Sequence, residues 1–519
     1  VDAILVAEFD IDKGSALTFQ YPCSTGTDAH VLSELMLPDG AHNREEDWTM
    51  FLLNQTEAAD DESSAPRPST YVLNLVRTKH ISNVRRGARV KAMAVASRYQ
   101  WVHVFKPLLV LALDKFFNEP TIVILEELYH AINSMDMSRM PRLSIRQKNI
   151  FRDAEDNTVL DGVLKDDEAK LGPIISHTKS GSTSSDATQT LASEGPVLSS
   201  AAAASLKKLG KDRQYFETNV VYGGIKMPVR IPLALYPEEV GEVSSQPTYW
   251  HHSAPPIKWR NAVPYCWHPH LDIGPFTHPI LVLLNAILTE KRVVFLGDKR
   301  PSGEVADYVL AACSLVGGGG LLRGFTERCF PYVSLPGLDQ LLAVPGFIAG
   351  VTNPVFEEQQ AWWDVLCNIG TGKITVSQRL IQASPSHDRE TSREREKEWF
   401  KTSGHETDHD FIPEAMAAAQ AHASEFYIRQ KFLAYIRRFA DVTAAYEDHL
   451  RNQGDRKSGY NVDHLNIGRG PFFVNERACL REMTILRNRV EGWRSTRSYM
   501  YYKQDLPTMI QRRAVADLD

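Results

Sequence analysis

The segment that decides the fold of the N-terminal region is residues 4–22, ILVAEFDIDKGSALTFQYP. Two runs rich in apolar and aromatic residues flank a turn that ends at Gly14. This arrangement is typical of a β-hairpin, because glycine supplies the backbone freedom that a tight connection needs. The pattern therefore predicts that the region begins with two antiparallel strands.

The hairpin is predicted to belong to a lobe that covers residues 1–138. Tyr71–Arg77 and Val90–Ser97 have the composition of strands, and apolar helices are expected to begin near Pro107 and after Pro120. Strands followed by packed helices are typical of an α+β lobe.

Residues 139–212 have a different composition. They include the run SGSTSSDATQTLASEGPVLSSAAAAS, which has no aromatic residue and no apolar periodicity. Such a stretch buries too little surface to offset the entropy of ordering it. We therefore predict a disordered, Ser/Ala-rich insert between two lobes.

Residues 213–381 alternate apolar strands with helices, which predicts an α/β lobe with a mostly parallel sheet covered on both faces. Strands are expected at Arg292–Leu296, Pro331–Leu335 and Phe347–Val351. A charged linker is expected over residues 382–408. A helical region follows over residues 409–519, where apolar residues recur at helical spacing.

Three stretches carry a resemblance to a known family. They are EFD followed by KGSALTFQYP within 8–22, HPILVLLNAILTEKRVVFLG at 278–297, and FPYVSLPGLDQLLAVPGFIAGVTNP at 330–354. The chain resembles DENN-module proteins, and in particular their fungal Arf-interacting branch that stabilises the polarity axis. The resemblance implies a longin-like N-terminal lobe (1–138), a central DENN lobe (213–381) and a helical downstream DENN region (409–519).

The resemblance also implies a function. It suggests a regulator that binds small GTPases of the Rab or Arf family and promotes GDP–GTP exchange in polarised vesicle trafficking. The alternative is an effector or scaffold that binds the GTP form of an Arf protein without exchange activity. Neither function needs a catalytic side chain or a cofactor, and both imply a cytoplasmic protein recruited to vesicles or to the cell cortex.

Charge, cysteine spacing and hydrophobicity argue against several other classes of protein. The net charge is −6 and the isoelectric point is near 6.3, so no global basic field favours nucleic acid. The six cysteines show no C-x-x-C spacing, which favours reduced thiols. No signal peptide or uninterrupted apolar span is evident, so any membrane association is expected to be peripheral.

Three motifs suggest other chemistry, but each has a simpler interpretation. His405–His409 matches H-E-x-x-H, yet no apolar stripe surrounds it to anchor the helix that a zinc site needs. Gly370–Lys373 lacks the remaining positions of a phosphate-binding loop, and a strand–turn–strand connection is favoured. The residues of 268–272 include two histidines and an aspartate in a proline-rich loop, where loop packing is favoured over a metal site.

Contact candidates for a GTPase or a membrane come from two regions. Arg85 and Arg86 lie at the predicted tip of a hairpin, and Asn353, Pro354 and Phe356 follow an apolar strand. The two arginines belong to a basic cluster with no acid among its members: Arg77, Lys79, Arg85, Arg86, Arg89 and Lys91. A solvated hairpin tip is the alternative interpretation.

A second basic region lies near the C-terminal end of the sequence. Arg487, Arg494 and Arg497 are interleaved with Trp493 and several tyrosines, which is a composition suited to contact with anionic membrane. The alternative is a helix that docks on its neighbours and leaves its basic face in water.

Overall fold

The computed structural model describes residues 1–10, 14–53, 69–80, 88–140, 215–232, 240, 279–317, 325–382, 411–415, 417–418, 425–454 and 476–504. Within these residues the protein is mixed α/β, with two five-stranded sheets, a separate hairpin and a group of helices near the C-terminal end. The motifs at 268–272 and 405–409 lie outside the described residues. So do Arg85, Arg86, nearly all of the predicted insert and nearly all of the charged linker.

The N-terminal sheet is antiparallel throughout. Its strands are β1 (Ala3–Asp10), β2 (Gly14–Tyr21), β3 (Glu46–Leu53), β4 (Thr70–His80) and β5 (Ala88–Ser97), in the order β2-β1-β5-β4-β3. The predicted opening hairpin is confirmed, since β1 and β2 pair from Ile4↔Tyr21 to Asp10↔Gly14.

A β-bulge in the pairing of β1 with β2 directs nearby β2 side chains to opposite faces of the sheet. The register shifts between Val6 and Ala7, which leaves Thr18 without a paired residue on β1. Leu17 consequently packs on one face of the sheet and Phe19 on the other. Without the extra residue, two positions separated by two would share a face.

Three helices cover the two faces of this sheet. Helix α1 (Ala29–Met36) packs on one face, while α2 (Lys106–Asn118) and α3 (Ile122–Asn133) pack on the other. The Asp28 carboxylate caps α1 by accepting hydrogen bonds from the His30 and Val31 amides at 2.9 and 3.0 Å. The N-terminal lobe is thus a sheet between two helical layers.

A hairpin of β6 (Tyr215–Tyr222) and β7 (Ile225–Pro232) packs against α3. The Thr218 hydroxyl donates to the Asp136 carbonyl at 2.9 Å, and the Lys115 ammonium lies 4.5 Å from the centre of the Tyr222 ring. Residues from 213 onward were predicted to belong to the central lobe. In the structure this hairpin contacts the N-terminal lobe instead.

The second sheet is mostly parallel, in agreement with the prediction. Its elements are α4 (Pro279–Leu288), β8 (Val293–Leu296), α5 (Ser302–Gly317), α6 (Phe325–Arg328), β9 (Cys329–Phe330), α7 (Leu338–Ala343), β10 (Ile348–Val351), α8 (Val355–Glu358), β11 (Val365–Asn368), β12 (Lys373–Val376) and α9 (Gln378–Gln382). The strand order is β12-β11-β8-β10-β9, and only β12 runs antiparallel to its neighbour. Helices pack on both faces.

One predicted strand of this lobe is wrong. The strand lies at Cys329–Phe330, before the predicted Pro331–Leu335, and residues 335–337 form a 3-10 turn. Pro331 has no amide hydrogen to contribute to a ladder. Beyond it, a single hydrogen bond from the Val333 amide to the Gly350 carbonyl, at 2.8 Å, continues the contact with β10.

Two long helices follow, α10 (Glu425–Gly454) and α11 (Glu476–Arg494). The predicted apolar stripe on α10 is confirmed, because Ile428, Phe432, Ile436 and Phe439 are all buried. These helices pack on each other, α10 contacts α5, and α11 contacts α4. In the part of the chain that is described, no helix combines the length and apolarity required to cross a membrane.

A pH-dependent stability is expected from His103, in the short turn before α2. Burial is the main reason that the pKa of its imidazole is lowered from about 6.5 to about 4. The Lys106 charge also lowers this pKa, whereas a hydrogen bond to the Val240 backbone raises it. Between about pH 6.5 and about pH 4, His103 is therefore protonated in the unfolded chain but neutral in the folded chain. The free energy of unfolding should fall by roughly 2–3 kcal/mol as the pH decreases through that window.

Urea unfolding at several pH values measures this effect. His103→Gln should remove it, whereas His130→Gln, at a largely exposed histidine, should leave it in place. An unchanged pH profile for His103→Gln would show that other groups cause the acid sensitivity.

Candidate functional site

The two lobes meet where a carboxylate of the N-terminal sheet caps a helix of the second lobe. Asp47 of β3 is buried and accepts hydrogen bonds from the Ser302 amide and hydroxyl, both at 3.0 Å. It also accepts from the Trp48 amide at 2.8 Å and, more weakly, from the Gly303 amide at 3.5 Å. The Asp47 carboxylate thus satisfies the first amides of α5.

This contact occupies a helix N-terminus, a position that often binds anions. Helix α5 follows β8 of a parallel sheet, and its N-terminus carries the partial positive charge that attracts phosphates in many α/β folds. Here a carboxylate from the other lobe occupies that position. The N-terminus of α5 therefore serves to join the lobes.

Further contacts extend the junction. The Thr49 and Ser302 hydroxyls lie 3.1 Å apart, and Arg44 donates a hydrogen bond to the Lys299 carbonyl. At Gly303 the lobes approach so closely that a Cβ atom would lie 2.5 Å from the Trp48 carbonyl oxygen. Only glycine fits at that position, which shows that β3 and α5 are in direct backbone contact.

A second seam joins the loop after β10 to the loop after α1. The Asn353 amide group donates to the Asp39 carboxylate at 2.9 Å, and the Asn353 side-chain oxygen accepts from the Val355 amide at 3.0 Å. Tyr332 packs into the cluster formed by α1 and the N-terminal sheet. One of the predicted contact residues, Asn353, therefore connects the two lobes, and Pro354 beside it is exposed.

Phe356 was predicted as an exposed contact residue, and this prediction is wrong. Phe356 is part of α8 and its side chain is fully buried, with its ring centre 5.1 Å from that of Trp362. The Trp363 indole also donates to the Phe356 carbonyl at 2.6 Å. The chain turns into a helix directly after Pro354, and this turn directs the Phe356 ring towards the core instead of the solvent.

Three described cations of the basic cluster of the first lobe are paired with acids from other elements. Arg77 pairs with Glu46 and with Asp114, each at 2.8 Å. Lys79 lies 3.4 Å from the same Asp114, and the buried Lys91 lies 2.9 Å from Glu8. The acids missing from the local sequence are supplied by β1, β3 and α2, so these three cations are not a free anion-binding patch.

Two of the C-terminal cations, Arg487 and Arg494, belong to the docked helix α11, and Arg497 follows it. Arg494 lies 3.4 Å from Glu447 and Arg497 lies 3.6 Å from Glu327, while the more exposed Arg487 lies 3.3 Å from Glu491. Trp493 is fully buried and its ring contacts those of Phe439, Tyr499 and Tyr502. This arrangement matches the alternative of a docked helix, and Trp493 is not available as a membrane anchor.

The two edges of the N-terminal sheet differ in what covers them. Strand β3, at one edge, packs against α5 and is mostly buried. Strand β2, at the other edge, pairs only with β1 among the described strands, and each of its residues is at least partly exposed. Helix α1 lies beside the first half of β2, where the Ser33 hydroxyl donates to the Ser15 carbonyl at 3.4 Å, so this edge is not free along its whole length.

Sequence reasoning missed both the Asp47 contact and strand β3. The segment EDWTMFLL begins with two acids and ends in a continuous apolar run, so neither periodicity is clear. Pro301-Ser302 is a helix-start signal, yet it does not reveal that the capping carboxylate lies 255 residues earlier in the sequence.

Comparisons with known proteins match both lobes. Residues 3–97, which contain all five strands of the N-terminal sheet and α1, match a family model described as the docking domain of Afi1 for Arf3 in vesicle trafficking. Residues 268–378 match a model described as stabilization of polarity axis. An AFI1-like protein of Schizosaccharomyces pombe is 30% identical over 537 residues, covering 97% of this chain and 80% of the relative.

Proposed function

The chain belongs to the family of AFI1-like proteins, and from this premise we propose that it binds an Arf-family GTPase through its N-terminal lobe in polarised vesicle traffic. The observation that carries the proposal is the match of residues 3–97 to a docking domain for Arf3. Those residues form one complete antiparallel sheet with its first helix, which is a unit able to present a defined surface.

A finer part of the proposal concerns the architecture. We assign residues 1–138 to a longin-like lobe and the α/β body that follows to a central DENN lobe. The strand order β2-β1-β5-β4-β3, with one helix on one face and two on the other, supports the first assignment. The mostly parallel sheet with helices on both faces supports the second.

The junction between the lobes favours a partner that contacts both. Asp47 and Asn353 connect the lobes at two separate seams, which hold the two lobes together. A stable protein–protein contact buries about 800 Å² on each partner, which is more than one loop provides. The activity would require no reactive group, since one folded protein binds another.

Exchange activity is the more demanding hypothesis. A nucleotide held at picomolar affinity represents about 16 kcal/mol, so its release requires contacts that favour the nucleotide-free GTPase strongly. The alternative is an effector or scaffold that prefers the GTP form. Rab-family partners, and anionic membrane at vesicles or the cell cortex, are further proposals.

One set of assays separates these functions. Pull-downs against Arf3 and a panel of Rab and Arf proteins, in GDP, GTP and nucleotide-free forms, should retain Arf3. Accelerated release of labelled GDP at catalytic amounts of protein would support exchange, whereas preference for the GTP form without acceleration would support an effector. Failure to bind Arf3 in every nucleotide state would contradict the proposal.

The Asn353 seam provides a further prediction. Asn353→Asp would place a second carboxylate beside Asp39, where a hydrogen bond of 2.9 Å now exists. We expect the free energy of unfolding to fall by about 1 kcal/mol, because an exposed hydrogen bond is replaced by repulsion. Gln359→Glu makes the same charge change at an exposed position near α8 and should have no effect. Equal stabilities of the two variants, measured by urea unfolding, would contradict the prediction.

A further inference from the structure

We propose that the Arf-family GTPase binds where the second seam between the lobes reaches solvent, and that it presents lysine or arginine around apolar side chains there. This inference rests on the proposed Arf-binding function and deepens it by naming the surface and the chemistry of the contact. The seam surface, as we call it, consists of six exposed residues from both lobes: Asp39, Leu335, Pro354, Val355, Glu357 and Glu358.

The second sheet brings two of the contributing loops together. Strands β9 and β10 are parallel neighbours, so the chain leaves both of them at the same edge of the sheet. Beyond β9, the Val333 amide donates to the Gly350 carbonyl at 2.8 Å, which keeps the two segments side by side. The 3-10 turn over residues 335–337 therefore lies beside the segment 353–358.

The N-terminal lobe supplies the other side of the seam surface. Helix α1 contacts the 3-10 turn over residues 335–337. Asp39, in the loop after α1, accepts the hydrogen bond from Asn353 at 2.9 Å. The surface thus combines a loop from the region that matches a docking domain for Arf3 with two loops from the region that matches the polarity-axis model. This combination supports the GTPase as the occupant.

The charge of the seam surface has one sign. The three stretches that form and flank it, residues 28–40, 331–343 and 352–361, contain no lysine and no arginine. Asp39, Glu357 and Glu358 form no ion pair within the described part of the chain, and Glu357 has only a weak contact with the Asn368 amide group at 3.5 Å. Exposed carboxylates without a cation favour the approach of a positively charged partner.

The arginines at the first seam do not supply the missing cations. Arg44 lies 3.7 Å from Asp47, and Arg300 lies 3.5 Å from Glu304. Both therefore already have an acidic partner close to the N-terminus of α5. This pairing contrasts with the three carboxylates of the seam surface.

The apolar members of the seam surface suit a protein partner. Leu335 and Val355 each remain 38% exposed, and Pro354 lies directly before Val355. Protein–protein contacts commonly have an apolar centre within a polar rim. The three apolar side chains would provide the centre, and the carboxylates would provide the rim, where charges mainly affect the association rate and the choice of partner.

Two other occupants fit the charge less well. The carboxylates would be repelled by the negative headgroups of an anionic membrane. A two-fold dimer centred on this surface would place carboxylates opposite carboxylates, because such an interface brings the same patch of both copies together. A different protein with lysine or arginine at its binding face avoids both conflicts.

Charge reversal tests the acidic rim. The full chain carries Glu357→Lys with Glu358→Lys, and the probe is Arf3 loaded with a non-hydrolysable GTP analogue. We expect about tenfold weaker binding, mainly through slower association, and a smaller dependence of the affinity on salt. Glu126→Lys with Glu127→Lys reverses two adjacent, exposed acids of α3, outside both matched regions, and should bind like the wild type.

A second pair of variants tests the apolar centre. Leu335→Ser should bind Arf3 about fivefold more weakly, because the contact loses apolar surface that the partner would cover. Leu450→Ser, on α10, is the matched control, since this leucine has the same exposed fraction of 38% and should leave binding unchanged. Urea unfolding of every variant verifies that it is folded.

The outcomes are distinguishable. Weaker binding for both test variants, with both controls like the wild type, would support the inference. A complex that either test variant leaves intact, or that the control variants weaken equally, would overturn it and spare the proposed function. Self-association of the chain without Arf3 that the Glu357 and Glu358 reversals abolish would assign the surface to a second copy and would also overturn it. If the wild type forms no complex with Arf3 in any nucleotide state, the proposed function and this inference both fail.

Discussion

Replacing Asp47 with alanine is expected to lower the free energy of unfolding by about 3–5 kcal/mol, because an unsatisfied buried donor costs about 1–3 kcal/mol. The substitution would leave the amides of Trp48 and Ser302 without their acceptor and would remove the cap of α5. The weaker bond from the Gly303 amide would be lost as well.

The variant should also loosen the contact between the lobes. Asp47→Asn keeps the size of the side chain and one acceptor oxygen, so we expect a smaller loss, roughly half that of alanine. Urea unfolding followed by intrinsic fluorescence measures both. Glu45→Ala, at an exposed residue two positions earlier, is the matched control and should leave stability unchanged. A loss for Asp47→Ala no larger than that of the control would show that the carboxylate does not hold the lobes together.

Replacing Gly346 with alanine is expected to cost about 3–5 kcal/mol, from backbone strain and overpacking together. Gly346 has a φ of +68°, a conformation that residues with a Cβ atom adopt at a cost. The added Cβ would lie 2.5 Å from the Glu290 carbonyl oxygen, so either the loop or α4 must move. Such movement would also disturb the buried Arg328, whose guanidinium donates to the Gly346 carbonyl at 2.8 Å.

Gly224→Ala separates the two causes. Gly224 has a φ of +79°, and a Cβ there would meet no atom within 4 Å, so only the backbone strain applies. We expect a loss of about 1–2 kcal/mol for this control. Thermal and urea unfolding of both variants give the comparison. Equal losses would mean that the close approach between Gly346 and Glu290 relaxes without cost.

Elements with a strong local signal were predicted correctly from the sequence. The opening hairpin combines two β-forming runs with a glycine at φ +78°, and both features are local. Helix α1 begins after Asp28, a residue type that favours helix starts, and the apolar stripe of α10 is buried as expected. Apolar strands alternating with helices indicated the mostly parallel second sheet, because only burial on both faces favours such runs.

The candidate contact residues show the limit of this reasoning. Asn353 connects the two lobes and Pro354 is exposed, whereas Phe356, two residues further, is buried. Sequence spacing alone does not tell these cases apart, because the direction of each side chain depends on where the short helix α8 begins. Similarly, the local sequence around Arg77 contains no acid, because the partners of Arg77, Lys79 and Lys91 lie on other elements.

The sequence by itself determined the secondary structure of strongly patterned segments, the two α/β bodies and the family resemblance. Periodicity, caps and turn residues act over a few positions and can be identified without knowing the fold. The tertiary structure alone decided that Asp47 caps α5 across 255 residues, that α5 covers the β3 edge, and that α1 packs against β2. Such contacts depend on which surfaces meet in space, and no local pattern of residues records that.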